Sequence, residues 1–192
     1  MSGCGVLETL TLTGCSALEK LNATGCVSLT ALALDNGGRL RELNVGGARF
    51  LASLEAGGQA LGHLDLDGLN MLSNVNCSEQ NISGVAMSRT LNLKDYVGNG
   101  LSRVTELHGY AADNTEIAFE WDAETGVATF ASVPDTVIYF YNTAGLSGEK
   151  MDVTLSLNGE PNNPDNPAGP TSNRGSGGGC DAGGLQGIAA GL

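Results

Sequence analysis

The cysteines are the side chains of this sequence whose spacing most directly suggests chemistry. Cys4, Cys15 and Cys26 recur every eleven residues, whereas Cys77 and Cys180 stand apart from that series. No two of the five have the C-x-x-C spacing that typifies a zinc ribbon. A constant interval is instead typical of a structural repeat, in which a cysteine occupies the same position of successive copies.

The sequence lacks the motifs that would indicate an enzyme. His63 and His108 are its two histidines, and it contains no H-E-x-x-H pair, nucleophile elbow, phosphate-binding loop or G-x-G-x-x-G fingerprint. Asp122 and Glu124 form a carboxylate pair that would suit catalysis or calcium, yet their D-A-E-T-G setting is typical of a hairpin loop. We therefore expect a non-enzymatic protein without catalytic, cofactor-binding or metal-ligating residues. The alternative is a surface hydrolase with its active site within residues 91–157.

The charge of the chain narrows the classes of partner. Twenty-one acidic and nine basic residues give a net charge of −12, and the basic residues are scattered singly. Such a surface disfavours nucleic acid and anionic membranes as partners. No apolar run reaches the ~18–20 residues of a membrane helix, and the first residues lack the basic and apolar regions of a signal peptide.

Leucine recurs at a nearly constant interval through the first half of the chain. Within a copy, as in Leu10-Thr11-Leu12, apolar and polar residues alternate with the period of two of a half-buried strand. Gly-Cys, Gly-Gly or Asp-Gly pairs between the copies are turn residues. Each copy therefore predicts a short strand and a tight turn. The phrase L-x-x-L-x-(L/A/V/C) begins at Leu7, Leu18, Leu29, Leu40, Leu51, Leu61 and Leu72.

Two copies together have the length of one solenoid coil. They contain 21–22 residues, within the ~20–29 residues that one turn of a leucine-rich solenoid requires. Alternate copies then stack on opposite sides, and their leucines meet in a narrow core. The predicted strands of one parallel sheet are 10–12, 32–34, 54–56 and 75–77, and those of the other are 21–23, 43–45 and 64–66.

The same geometry places two of the repeated cysteines together. Cys4 and Cys26 are two copies apart and stack at the strand-to-strand distance of ~4.8 Å, while Cys15 lies on the other side of the coil. We expect small buried side chains in the turns. A disulfide or a metal site is the alternative. Cys77 is expected to face inward in place of a leucine.

The repeat resembles the 21-residue leucine-rich repeats of internalin-like bacterial surface proteins, including those with cysteine in the consensus. The resemblance covers residues 3 to about 84 and implies a secreted or surface-displayed protein that binds a protein or glycan of a host or matrix through an exposed sheet. The implied ligand residues are Thr11, Ala33, Glu55 and Asn76 on one face, and Asn22, Asn44 and Asp65 with His63 on the other. The alternatives are that these are simply solvated polar residues, or that the chain is a stalk whose ligand binds to preceding repeats.

The first residues already belong to a copy of the repeat. The segment Gly3-Cys4-Gly5-Val6-Leu7 matches Gly14-Cys15-Ser16-Ala17-Leu18. Solenoids carry polar caps over their open ends. We therefore expect earlier repeats and a signal peptide to precede this segment, or another chain to cover the open end.

The composition changes after the repeats, so the leucine-rich domain is expected to span residues 1–90. Residues 91–157 contain most of the aromatics and alternate in the manner of strands. The predicted strands are 103–111, 115–122, 126–131, 136–142 and 150–157. They predict a small antiparallel β-sandwich, and the segments 136–141 and 150–155 resemble modules that follow repeats in bacterial surface proteins.

The tail differs again from both of these parts. Residues 158–179 hold four of the five prolines and almost nothing apolar, which predicts a disordered linker. Residues 180–192 resemble a truncated C-terminal sorting signal, in which a Gly-rich or Cys motif precedes an apolar helix. The resemblance implies that Cys180 is processed or lipid-modified and that any membrane anchor lies in a missing C-terminal segment.

Overall fold

The computed structural model describes residues 3–35, 38–145 and 148–157, and the chain is mainly β. The strands are β1 (Thr9–Leu12), β2 (Lys20–Asn22), β3 (Ala31–Leu34), β4 (Glu42–Asn44), β5 (Ser53–Glu55), β6 (Asn74–Asn76), β7 (Gln80–Ser83), β8 (Thr90–Asn92), β9 (Val104–Tyr110), β10 (Phe119–Asp122), β11 (Val127–Phe130), β12 (Thr136–Asn142) and β13 (Lys150–Ser156). A single helical turn, α1 (Lys94–Val97), continues into a 3₁₀ segment (Gly98–Arg103).

The first half of the chain winds into a solenoid of about three turns. Strands β1, β3, β5 and β6 form one parallel sheet in that order, and β2 pairs in parallel with β4 on the opposite side. Residues 22 apart are aligned, so that Leu10 pairs with Leu32 and Leu32 with Leu54. The prediction that eleven-residue copies alternate between two parallel sheets is therefore confirmed for these strands.

The third strand predicted on the second side, 64–66, does not form, and this part of the prediction is wrong. The backbone N–H of Leu66 donates instead to the carbonyl of Thr143 at 2.9 Å. A backbone group satisfied by a later part of the chain is not available to extend the β2–β4 ladder. The second sheet of the solenoid consequently has two strands.

The repeated leucines fill the interior of the coils. Leu32, Leu54, Leu29 and Leu51 are almost completely buried, as is Cys26. Each fully buried leucine contributes on the order of 1.5–3 kcal/mol relative to an exposed one. The phrase L-x-x-L-x-L therefore specifies the register of each strand, because a slip by one residue would turn its buried leucine to the solvent.

The second half contains two further sheets. One has the order β10-β11-β8 and is antiparallel; the other has the order β7-β13-β12-β9, in which β7 runs parallel to β13. The predicted strands of this region are confirmed, except that 115–122 shortens to β10 with an isolated bridge between Tyr110 and Glu116. The expectation of purely antiparallel pairing is wrong, because β7, which follows the last repeat, adds to the edge of β13.

Hydrogen bonds join the solenoid to these sheets. Strand β7 precedes residue 90, where the composition changes, yet it belongs to the sheet of β12 and β13. The Tyr139 hydroxyl donates to the carbonyl of Gly62 at 2.6 Å. Gln80 is fully buried, and its amide donates to the carbonyl of Ala56 and accepts from the N–H of Leu61. The last coil is thus closed by backbone and side-chain partners from the sheets that follow.

The linker 158–179, the segment 180–192 and Cys180 lie outside the described residues. Within the described ranges, no helix is long and apolar enough to cross a membrane.

Candidate functional site

The four ligand residues predicted on one face do lie together on the four-stranded side of the solenoid. Thr11, Glu55 and Asn76 occupy one column across β1, β5 and β6, and Ala33 of β3 completes it. The neighbouring column consists of Thr9, Ala31, Ser53 and Asn74. Glu55 is the one charged residue in these two columns, so this face carries little charge in a strongly acidic chain.

This face is organised by its own hydrogen bonds. The side-chain amide of Asn74 donates to Ser53 Oγ at 3.1 Å and to Glu55 Oε1 at 3.0 Å. On the edge of the face, the hydroxyls of Thr30 and Ser73 donate to carbonyls of the preceding coil. These bonds link neighbouring coils in register at the surface.

Four predicted ligand residues have a structural role in the turns. The side-chain oxygens of Asn22, Asn44, Asp65 and Asn76 each accept a hydrogen bond from the backbone N–H two residues later, at 2.9–3.3 Å. This is the Asx turn, for which asparagine and aspartate are favoured. The repeated Asn/Asp at the fifth position of the phrase is therefore explained by turn formation before any ligand is considered.

His63 and Asp65 are also engaged by the second half of the chain and do not join Asn22 and Asn44 in one open site. Nδ1 of His63 lies 3.0 Å from the carbonyl oxygen of Tyr96, which assigns the proton to that nitrogen. Asp65 forms an ion pair of 2.9 Å with Arg103. Burial raises the pKa of Asp65, but hydrogen bonds from Arg103 and from the Asp67 N–H outweigh it, and the pKa is lowered.

An exposed apolar ridge borders the four-stranded face. Val6, Phe50 and Met71 directly precede the first leucine of their copies, and Val27 lies one residue further upstream in its own. They are exposed to 82%, 58%, 56% and 43%, respectively. By the register of β1, β3, β5 and β6, Val6, Phe50 and Met71 occupy equivalent positions of their coils, and Val27 lies next to the equivalent position of the second coil. We call this set the corner ridge.

The leucine interval does not reveal the corner ridge. Its signal in the sequence is an apolar residue just before the first leucine of alternate copies, which is invisible when only the leucines are aligned. In the second coil the position before the first leucine is Ser28, whose hydroxyl donates to the carbonyl of Gly5. The apolar residue of that coil is the preceding residue, Val27. Large exposed apolar side chains that cluster in this way typically mark interaction sites.

The carboxylate pair and Cys77 have local structural roles. Asp122 Oδ1 accepts hydrogen bonds from the N–H groups of Glu124 and Thr125, and its Oδ2 accepts from the Thr125 hydroxyl; these bonds lower the pKa of Asp122. Burial raises the pKa of the Cys77 thiol to about 12, with smaller contributions from Glu149 and Asp152. Among residues 3–35, 38–145 and 148–157, no group of three or more His, Cys, Asp or Glu is placed to hold a metal.

A small cleft lies on the corner of the solenoid where the turns leave β1 and β3. Its volume is about 140 Å³, and Leu12, Cys15, Leu34, Asp35 and Gln59 contribute to its walls. Pockets for small molecules typically measure ~300–1,000 Å³. The exposed face and ridge are therefore better suited to a macromolecular ligand than this cleft is to a small one.

No family model matches the sequence, and no curated protein or solved structure is significantly similar to the chain.

Proposed function

We propose that the chain is a non-enzymatic binding module of a bacterial cell-surface or secreted protein. In this proposal its solenoid is a leucine-rich repeat of the internalin-like kind, and its two later sheets form a small sandwich that supports the open side of the last coil. The ligand is a protein or a glycan of a host or matrix, and it binds to the face of β1, β3, β5 and β6.

The corner ridge is the observation that carries this proposal. A purely structural stalk would not be expected to expose Val6, Phe50 and Met71 at equivalent positions of its coils. Exposed apolar side chains of this kind favour aggregation and do not add stability. The adjoining face has small side chains that admit close approach, and its near neutrality avoids the repulsion expected elsewhere on a chain of net charge −12. Phenylalanine and methionine are among the residues enriched at protein interfaces.

Binding is tested with the full chain immobilised on a biosensor and probed with purified fibronectin, laminin, collagen and a glycan array. For any probe that binds, Phe50→Ser combined with Met71→Ser is expected to weaken affinity at least about tenfold, since loss of a hot-spot residue costs about 2 kcal/mol. The matched control is Val133→Ser, because Val133 is 53% exposed but lies outside the solenoid. Equal affinity of the double variant and the control variant would contradict the ligand face.

Surface display is tested separately on cells that express the native gene product. Labelling of intact cells with a membrane-impermeant biotin reagent is expected to modify the protein. Labelling only after lysis would remove the surface assignment. If the protein is labelled but none of the probes binds, the stalk function replaces the binding function.

A further inference from the structure

The turns that contain Cys4 and Cys26 have the same conformation in consecutive coils. The N–H of Leu7 donates to the carbonyl of Cys4 at 3.2 Å, and that of Leu29 donates to the carbonyl of Cys26 at 3.0 Å. Between the coils, the N–H of Gly3 donates to the carbonyl of Thr24 at 2.8 Å. The two cysteines are therefore aligned residues of one ladder rather than neighbours by chance.

The two backbones approach closely, although Cys4 and Cys26 are not joined by a disulfide in the structure. A Cβ placed on Gly25 would lie 3.7 Å from the Cα of Gly3, which shows how closely the two turns approach. Stacked coils are ~4.8 Å apart, within the Cα separation of roughly 4.4–6.8 Å that disulfides span. Cys26 is buried in the core and Cys4 packs against that core, so both side chains are directed to the interior.

The repeat excludes the other pairings of nearby cysteines. Cys15 is eleven residues from both Cys4 and Cys26, which places it in the turn on the opposite side of the coil. The residue 22 positions after Cys15 is Gly37, which carries no thiol. Cys77 is buried in the last coil, at the far end of the solenoid from Cys4.

We propose that Cys4 and Cys26 form a disulfide between consecutive coils by exchange with a low-molecular-weight disulfide such as oxidised glutathione. The Cys4 thiolate first attacks the glutathione disulfide, forming a mixed disulfide and releasing one glutathione thiolate, which takes up a proton. The Cys26 thiolate then attacks the Cys4 sulfur and releases the second glutathione. The two protein thiols lose two electrons, and one glutathione disulfide is reduced to two thiols.

The bond would clamp the first described coil to the second. Strand β1 is the edge of its sheet, and Cys4 is only partly buried, so this coil opens more readily than the coils behind it. A link across the 22-residue interval removes that local opening. Formation of this disulfide does not depend on whether the chain binds a ligand.

The test oxidises the full chain carrying Cys180→Ser with oxidised glutathione, once folded and once in guanidinium chloride. After the remaining thiols are alkylated, cleavage after glutamate separates Cys4, Cys15 and Cys26 into the fragments 1–8, 9–19 and 20–42. From the folded protein, mass spectrometry is expected to find fragments 1–8 and 20–42 joined. In denaturant the disulfides Cys4–Cys15 and Cys15–Cys26 close the shorter loops. Each of them is therefore favoured roughly threefold over Cys4–Cys26, which closes the longer loop.

Two variants keep the test independent of folding defects. Cys15→Ser is expected to retain the link between fragments 1–8 and 20–42 and to raise the melting temperature on oxidation by several degrees. Cys4→Ser is expected to show neither effect. The proposal is overturned if the folded protein gives the same mixture of links as the unfolded one, or if Cys4 carries only glutathione while Cys26 remains a thiol.

Discussion

Gln80 of β7 forms several buried hydrogen bonds to the last coil of the solenoid, and its replacement gives the sharpest test of how that coil is closed. The fully buried amide accepts from the Leu61 N–H at 3.0 Å and donates to the carbonyls of Ala56 at 2.8 Å and Cys77 at 3.2 Å. Gln80→Met keeps the length and flexibility of the side chain but removes all of these bonds.

The size of the effect follows from the groups left without partners. Leu61 and Ala56 are both fully buried, so their N–H and carbonyl groups cannot turn to water. Each unsatisfied buried group costs roughly 1–3 kcal/mol, which sets the expected loss at about 2–5 kcal/mol once the apolar gain of methionine is deducted. For a domain whose stability is typically about 5–15 kcal/mol, this is a large fraction.

The assay is equilibrium unfolding in urea followed by circular dichroism. The midpoint is expected to fall at an unchanged slope, since the surface exposed on unfolding is the same. The control is Asn81→Ala, because the side chain of Asn81 is next in sequence and only donates locally to the carbonyl of Glu79. A loss below about 1 kcal/mol for Gln80→Met, or equal losses for both variants, would refute the reasoning.

Three further outcomes are expected. Gly62→Ala places its Cβ against the Tyr96 carbonyl oxygen and should lower stability by about 1–3 kcal/mol in the same urea assay. Gly5→Ala, with nothing within 4 Å of its Cβ, should change stability by less than about 0.5 kcal/mol. Because the pKa of Asp65 is lowered in the folded state, the contribution of Asp65 to stability is present at neutral pH and is lost as the pH falls below 3.8. Asp65→Asn should therefore reduce the difference in unfolding free energy between pH 7 and pH 3 by up to about 1 kcal/mol. An unchanged difference would contradict the ion pair. Cys77, with a pKa of about 12, should not react with Ellman's reagent at pH 8 until the protein unfolds.

The parts of the fold that the sequence predicts well are those where one interaction repeats. The leucine interval gave the strands of the four-stranded solenoid sheet to within one residue, because each copy meets the same partner one coil away. Strand β12 was predicted at its observed limits, since Val137, Tyr139 and Tyr141 alternate strictly with outward residues and are all buried.

The parts that the sequence does not predict depend on partners distant in the chain. Residues 80–83 contain one apolar residue, and the alternation around Leu91 is too short to identify a strand by itself. These segments become β7 and β8 because β13 and β11 offer edges to which they add. The segment 64–66 has the repeat phrase but is not a strand, since Leu66 bonds to Thr143, which lies far ahead in the sequence.

The candidate site was predicted in part for the same reason. Periodicity identified the outward column of Thr11, Glu55 and Asn76 but could not tell a ligand residue from a turn-forming one. The Asx turns did have a signal, because an Asn or Asp recurs two residues before the turn residue that donates to it. The engagement of Asp65 by Arg103 had none, since an ion pair between residues 38 positions apart leaves no local pattern.

The winding of the chain is the claim on which the ligand face, the corner ridge and the Cys4–Cys26 bond all depend. Nuclear Overhauser contacts between backbone protons of uniformly labelled protein test it directly. Contacts are expected between Thr11 of β1 and residues 32–34, and likewise between β3 and β5, where residues are aligned 22 apart. Contacts of β1 with residues 20–22 instead would mean that successive copies stack on one side, and the two-sided coil would be contradicted.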